Sequence, residues 1–261
     1  MNSSPKKNSF IKNYPVTSIL AFSNFIIYVI QEITGDSNNA IDLVNMGARY
    51  DIYVANGDWW RLITPNFLHI GITHLLLNLA GLFIFGMLVE KDFSKIKYII
   101  IYFFCGICSN IFSYSSGSWF GFTCGPVGAG ASGAIFGLLG AYASYLIINK
   151  TVLGQQGKDS LVSIGLIIFI NVIYGAAATG VDHIAHVTGI ISGLAIGWLL
   201  SPSKQMVILP NELHENSVLV SVKRKKISNL FVVSFIFLII ITFIAYDQRT
   251  QDIIEFSRFC T

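Results

Sequence analysis

Charged residues are scarce in this chain of 261 residues, of which only 12% are Asp, Glu, Lys or Arg and 53% are hydrophobic. Soluble domains typically carry about 25% charged residues, because they need polar surface to face water. The mean hydropathy of +0.63 points the same way. The shortage of charge excludes an ordinary soluble domain and predicts an all-α polytopic membrane protein.

The apolar segments that are long enough to cross a bilayer, which takes about 20 helical residues, also lack charge. They are 16–33, 72–89, 98–115, 128–148, 160–178, 183–200 and 229–246. No Asp, Glu, Lys or Arg lies in the middle of any of them. This absence argues against a proton-coupled pump, an intramembrane aspartyl protease and a Ser-Lys dyad. The lack of paired interrupted helices likewise argues against a small transporter.

Cysteine is sparse too, and its positions give no disulfide framework. Cys105 and Cys108 fall inside the third span, whereas Cys124 and Cys260 fall outside the membrane. A disulfide between Cys124 and Cys260 is an alternative that the sequence does not decide. The stretch "HENSV" at 214–218 has the His-Glu pair of a zinc protease helix but lacks its second histidine. We therefore expect no metal and no cofactor.

Lysine is missing from one side of the predicted membrane. All lysines and Arg224 lie in segments on the side of the N-terminus, and the other side holds only Arg49, Arg61, Arg249 and Arg258. The positive-inside rule then places the N-terminus in the cytoplasm. The first apolar run has no small-residue cleavage site after it, so we expect a retained helix. The net charge of +3 is a topology signal and predicts a bilayer as partner, not nucleic acid.

A few polar side chains stand out inside the spans. His74 and Asn78 are four residues apart and so lie on one face of the second span. Ser132 is in the fourth span and His186 in the sixth. These three spans enter from the same side, and the rise of a helix places Asn78, Ser132 and His186 roughly 6–9 Å below the outer boundary. An amide, a hydroxyl and an imidazole are therefore predicted at the same depth in the membrane.

Small residues recur at every fourth position in the fourth and sixth spans. The two stripes are Ala129, Gly133, Gly137, Ala141 and Ala185, Gly189, Gly193, Gly197. Such stripes let two helices approach closely in lipid. If they face each other, Ser132 meets His186 at the edge of the seam as an activated nucleophile and its base. Backbone N–H groups at the helix start, Asn78 and His74 would then stabilise an oxyanion.

Each of these residues also has an ordinary structural explanation. Ser132 suits packing in a glycine-rich span, and His186 suits an interfacial position. Asn78 suits a hydrogen bond between helices. Asp182 is most simply the N-cap of the sixth span, although it also lies one turn from His186 and could orient it.

Four motifs together resemble the rhomboid intramembrane serine proteases over nearly the whole chain. They are "WWRLITPNFLH" at 59–69, with the Trp60-Arg61 pair of the first outer loop, "HIGITHLLLN" at 69–78, "GAGASGAIFG" at 128–137 and "DHIAHVTGIISG" at 182–193. The resemblance implies that Ser132 is the nucleophile, that His186 is the base and that His74 and Asn78 line the oxyanion site. It implies a Ser-His dyad without a carboxylate.

The resemblance also implies a six-helix core to which a C-terminal seventh transmembrane helix is added. The expected parts are a cytoplasmic tail at 1–15, the catalytic core at 16–201, a cytoplasmic linker at 202–228, the seventh span at 229–246 and an outer tail at 247–261. Family members cleave single-span membrane proteins near the outer boundary, so we expect transmembrane-helix substrates and a plasma-membrane location. The loop at about 35–70 would lie along the interface. None of the assigned chemistry falls on the seventh span.

Phe136 stands where relatives often have Tyr, and "HVTG" replaces a motif that often has two glycines. Phe136 follows Ser132 by four residues on the same helix face. We expect its ring to pack on the imidazole of His186 and to orient it. A general base needs the correct geometry for proton transfer as well as a suitable pKa. A rhomboid-like membrane chaperone or adaptor without catalysis is the alternative function.

Overall fold

The computed structural model describes residues 10–120, 125–177, 180–208, 217–222 and 229–256. Helices account for most of these residues. In chain order they are α1 (Phe10–Asn13), α2 (Pro15–Thr34), α3 (Ala40–Asn45), α4 (Asp51–Ala55), α5 (Gly71–Gly81), α6 (Met87–Asp92), α7 (Lys95–Phe120), α8 (Ser132–Ile148), α9 (Lys150–Ala177), α10 (His183–Leu200) and α11 (Asn229–Phe256). A π-helical turn at Leu82–Gly86 joins α5 to α6.

Several of these helices are long and apolar enough to span a membrane. Within the described part of the chain they are Pro15–Thr34, Gly71–Asp92, Lys95–Gly117 and His183–Leu200. The apolar helix α8 is shorter, at 17 residues. These helices confirm the prediction of an all-α polytopic membrane protein.

The fourth predicted span begins later than the sequence suggested. We expected it from residue 128, but α8 begins at Ser132. Gly128 instead forms an isolated antiparallel bridge with Arg49, in which each backbone N–H donates to the carbonyl of the other residue at 2.9 Å. Gly130 has a φ of +130°, which no helix can contain. Hydropathy alone could not show this, because the preceding residues are as small and apolar as the helix itself.

Helix α8 lies at the centre of the bundle and is buried on most of its surface, as a helix that is apolar all round requires. The two small-residue stripes face each other across α8 and α10, which confirms that prediction. A Cβ added to Gly193 would overlap the carbonyl oxygen of Gly137, and one added to Gly189 would overlap that of Gly133. Only residues without side-chain bulk permit this approach.

The start of α2 is capped by a side chain from a neighbouring helix. Tyr14, the N-cap of α2, makes no side-chain capping bond. The buried carboxylate of Glu90 on α6 accepts the N–H groups of Val16 at 2.7 Å and Thr17 at 2.9 Å. An anion at this position satisfies the free donors and the positive end of the helix dipole.

The segment after α10 contains a β-hairpin that the prediction of a 202–228 linker did not include. Strand β1 (Ser203–Ile208) pairs antiparallel with β2 (Ser217–Val222), with Ser203 opposite Val222. Alternating apolar residues such as those in "SVLVSV" favour a strand. The amide of Asn149 at the end of α8 anchors the hairpin, because it donates to the carbonyl of Pro202 and accepts the N–H of Lys204.

The far half of α11 packs against α7 and α4. The hydroxyls of Tyr114 and Thr250 lie 2.8 Å apart, and the rings of Tyr114 and Tyr246 are 5.1 Å apart. Ile253 is buried in the same apolar cluster. The helix continues to Phe256, beyond the expected end of the span at residue 246. Its last turns therefore belong to the packed body of the protein.

Candidate active site

The packing of α8 against α10 brings the Ser132 hydroxyl and the His186 imidazole together. Ser132 is the first residue of α8, and His186 lies in the first turn of α10. The Oγ of Ser132 is 2.9 Å from Nε2 of His186. Both side chains are half-buried. This is hydrogen-bond distance, and it is the arrangement in which an imidazole can take a proton from a hydroxyl.

The backbone just before Ser132 is shaped by Gly130. Its N–H donates to the carbonyl of Pro65 at 2.8 Å. A Cβ on Gly130 would lie 2.6 Å from Cε1 of His74 and 3.6 Å from Oγ of Ser132. The imidazole of His74 and the hydroxyl of Ser132 therefore both lie close to the space that a side chain at this position would fill. Gly130 was not among the predicted site residues, although its place near the serine in a glycine-rich segment was the available signal.

His74 is held with one nitrogen available near the serine. Its Nδ1 accepts the backbone N–H of Ile70 at 3.3 Å. In a neutral imidazole the other nitrogen, Nε2, then carries the proton and is a donor. The ring of His69 packs edge-on at 5.4 Å, and burial, together with the neighbouring His74, lowers the pKa of His69 to about 3. His69 is therefore neutral at physiological pH.

Asn78 is buried one turn after His74. Its Nδ2 donates to the carbonyl of His74 at 2.8 Å. In the described part of the chain its Oδ1 has no partner. The structure thus ties one N–H of this amide to its own helix and leaves the second N–H of the same group for another acceptor.

Phe136 lies one turn after Ser132 on α8 and packs against His186. The centroids of its ring and of the His186 imidazole are 4.4 Å apart, and the two planes are tilted by 36°. This separation is direct aromatic contact. The ring therefore restricts the imidazole from the side of α8.

Asp182 is the N-cap of α10, which confirms the simpler of its two interpretations. Its Oδ1 accepts the N–H of Ala185 at 2.9 Å. Its Oδ2 accepts a hydrogen bond from Ser113 and lies 3.2 Å from Nη2 of Arg49. Burial alone would raise the pKa of this carboxyl, but Arg49 and the hydrogen bonds outweigh burial and hold the pKa below its usual range. The carboxylate thus stays ionised, and the partners named here do not include the His186 ring.

The loop between α2 and α5 is folded around Arg61, which follows Trp60 in the predicted Trp-Arg pair. Its Nη1 donates to the carbonyls of Val44 at 2.6 Å and Ala48 at 3.0 Å, and its Nε pairs with Asp58 at 2.9 Å. This buried guanidinium closes the loop that carries Arg49. No role was predicted for Arg49, although an arginine in a segment with few cations was a signal that it has an anionic partner.

Some predictions concern chemistry away from this site. Cys105 and Cys108 are free thiols on α7, whereas Cys124 and Cys260 lie outside the described residues. Among the residues that the structure describes, no three His, Cys, Asp or Glu side chains are grouped as metal ligands.

Comparison with known proteins identifies the family. The family model described as "Rhomboid domain" matches residues 56–203. The chain is 39% identical over 169 residues to the rhomboid protease GluP of Bacillus subtilis, and the aligned region covers 64% of this chain and 31% of GluP. It is 30% identical over 201 residues to the putative rhomboid protease YdcA of the same organism, covering 76% of this chain and 94% of YdcA. It is 33% identical over 213 residues to the rhomboid protease AarA of Providencia stuartii, covering 74% and 75%.

The chain thus spans less than a third of GluP but nearly all of YdcA. The matched residues include the loop around Arg61 and the helices α5 to α10 that carry the Ser132–His186 pair. The chain is a multi-pass integral membrane protein and belongs to the rhomboid family.

Proposed function

We propose that this protein is an intramembrane serine endopeptidase in which Ser132 is the nucleophile and His186 the general base. The observation that carries the proposal is the 2.9 Å distance between Ser132 Oγ and His186 Nε2. It occurs in a chain whose relatives are named rhomboid proteases. A serine is a weak nucleophile unless a neighbouring base takes its proton as it attacks.

In the proposed reaction, Ser132 Oγ attacks the carbonyl carbon of a peptide bond while its proton moves to Nε2 of His186. The tetrahedral intermediate collapses, and the leaving amine takes that proton from the imidazolium. Water then attacks the acyl-enzyme and gives a proton to His186. Release of the acid returns the hydroxyl to Ser132. The Phe136 ring at 4.4 Å supports this cycle, because it orients the imidazole and favours its cationic form.

Three donors are suited to the oxyanion. The N–H of Ser132 lies at the start of α8, where helix N–H groups have no intrahelical partner and the dipole favours negative charge. His74 offers Nε2–H beside Gly130, and Asn78 offers the second N–H of its amide. Each such donor is worth about 10²–10³ in rate.

We further propose that the substrates are single-span membrane proteins cut near the outer boundary of the plasma membrane. The topology would be a six-helix core at 16–201 followed by a seventh span, with the N-terminus in the cytoplasm. The absence of lysine from the segments around the Ser132 end of the bundle supports this orientation. The exposed Trp59, Tyr53 and Trp60 on the first outer loop suit a membrane interface.

The test is cleavage of a model single-span protein by the full chain in liposomes, together with labelling by a fluorophosphonate probe. Ser132→Ala and His186→Ala should each abolish cleavage and labelling while membrane insertion and thermal stability stay near wild type. Ser144→Ala on the same helix is the matched control and should still be labelled. Labelling of Ser132→Ala at the wild-type rate would contradict the assignment. A well-folded wild type whose Ser132 is never labelled would favour the chaperone or adaptor alternative.

A further inference from the structure

A chain of buried charges links α11 to the helix that carries His186. Arg249 on α11 donates from Nη2 to Oδ2 of Asp51 at 2.8 Å. Asp51 Oδ1 is 3.9 Å from Nε of Arg49, whose Nη2 is 3.2 Å from Asp182 Oδ2. The side chains of Arg49, Asp51 and Arg249 are at most 3% exposed. Charges this deeply buried persist only when they are paired.

Glycines make the room for this chain of charges. A Cβ on Gly117 of α7 would overlap the guanidinium of Arg249, and one on Gly125 would overlap the carboxylate of Asp51. A Cβ on Gly128 would lie 2.9 Å from Cζ of Arg49. The backbone is thus shaped around each of the three buried side chains, which distinguishes the cluster from incidental surface ion pairs.

The far end of this chain of charges contacts the two segments that carry the residues of the proposed dyad. Asp182 caps the first turn of α10, in which His186 lies. Arg49 exchanges two backbone hydrogen bonds with Gly128, which lies four residues before Ser132. Arg49 is therefore fixed to the segment that leads into the nucleophile and to the cap of the helix that carries the base.

We propose that Arg249 is a positioning residue, through which α11 holds Asp51, Arg49 and the Asp182 cap and thereby sets His186 against Ser132. The inference rests on the proposed function for what it says about catalysis. The sequence analysis assigned no chemistry to this helix, and Arg249 still contributes none directly. It acts by fixing the direction in which Arg49 points.

The physical reason is competition between two carboxylates for one guanidinium. With Arg249 in place, Asp51 has its own close cation, and Arg49 is free to pair with Asp182 at the shorter of its two distances. Without Arg249, Asp51 is a buried anion that lacks its nearest partner. Arg49 then turns towards Asp51, and the cap of α10 loses its cation. The first turn of α10 loosens, and His186 moves relative to Ser132.

The first experiment measures hydrogen exchange of the backbone amides at 183–188 in the full chain in liposomes, and it needs no catalysis. Arg249→Met should accelerate this exchange about fivefold or more, since a lost N-cap has an effect of that size. Arg249→Lys should restore most of the protection. Thr250→Val is the matched control, because it removes the neutral hydrogen bond to Tyr114 on the same turn of α11. Exchange at 183–188 that is equal in Arg249→Met and wild type would overturn the inference.

Arg249→Met leaves an orphaned buried charge, so a second variant guards against misfolding. Asp51→Asn combined with Arg249→Met removes both charges of the pair. This destabilises a protein less than the loss of one partner, which leaves an uncompensated buried charge. This double variant should insert and fold. Exchange at 183–188 should return to near the wild-type rate, because no second carboxylate then competes with Asp182 for Arg49. Exchange in a folded double variant that is as fast as in Arg249→Met would overturn the inference.

The second experiment measures the rate at which the fluorophosphonate probe labels Ser132. We expect a loss of about 10²-fold in Arg249→Met, since a misplacement of the order of 1 Å has that effect. The loss should fall on kcat rather than KM for a model substrate, and Thr250→Val should keep the wild-type rate. An equal loss in Thr250→Val would reduce Arg249 to a general docking contact. Failure of wild type itself to be labelled would contradict the proposed function and leave the exchange result to decide this inference.

Discussion

The ring of Phe136 lies against the imidazole of His186 at a centroid distance of 4.4 Å. The N-cap carboxylate of Asp182 is engaged by Ala185, Ser113 and Arg49 instead of the imidazole. Among the described residues, an aromatic ring and not a carboxylate therefore packs against this imidazole, and we propose that the ring orients His186 as the carboxylate orients the histidine of a Ser-His-Asp triad.

We expect Phe136→Tyr to keep most of the cleavage activity and Phe136→Leu to lose about tenfold or more in kcat. Leucine retains the apolar burial but offers no ring face to orient the imidazole or to favour its cation. The measurement is kcat for a model single-span substrate in liposomes, together with the melting temperature. Equal rates for the Leu variant and wild type at similar stability would return Phe136 to ordinary core packing.

Asn78→Ala should reduce kcat by about 10²-fold without abolishing cleavage, because the Ser132 N–H and His74 remain as oxyanion donors. The melting temperature is expected to fall only slightly, since the lost hydrogen bond lies within one helix. His74→Ala provides the comparison, and the double variant should approach the activity of Ser132→Ala. A wild-type rate for Asn78→Ala would make this residue a packing amide only.

Bulk in the seam between α8 and α10 should damage both stability and activity. Gly189→Leu places a side chain where the backbone of Gly133 already lies, and Gly137→Leu places one where the side chain of Cys105 on α7 lies, beside the carbonyl of Gly189. Overpacking of this kind typically costs about 1–3 kcal/mol or more. The matched control is Gly165→Leu on α9, because a Cβ there meets nothing within 4 Å. Wild-type melting temperature and cleavage in both seam variants would contradict the packing described here.

Gly130→Ala should lower activity through His74 as well as through backbone strain. The φ of +130° is unfavourable for any residue with a Cβ, at about 1–3 kcal/mol, and the added methyl would also displace the His74 ring. Gly57→Ala separates the two effects, since Gly57 has a φ of +106° but open space around its Cβ position. We expect both variants to lose stability and only Gly130→Ala to lose labelling by the fluorophosphonate probe. Equal labelling in the two variants would contradict a role for the His74 position.

The sequence by itself determined the features that depend on local composition and spacing. Charge-poor apolar runs of about 20 residues predict spanning helices because no unpaired charge is stable in lipid. Small residues at every fourth position lie on one helix face, so the seam between α8 and α10 follows from the period and is confirmed. The N-cap role of Asp182 follows from its position before an apolar helix in the same way.

The tertiary structure alone decided what depends on partners that are distant in sequence. Helix α8 begins at Ser132 because Gly128 pairs with Arg49, a contact that no local pattern encodes. The ion pair between Arg249 and Asp51 joins residues 198 positions apart. An arginine near the end of an apolar helix is equally compatible with solvent, lipid headgroups or a buried carboxylate. Only the assembled bundle, which removes water from the guanidinium, selects the carboxylate and so joins α11 to Asp51.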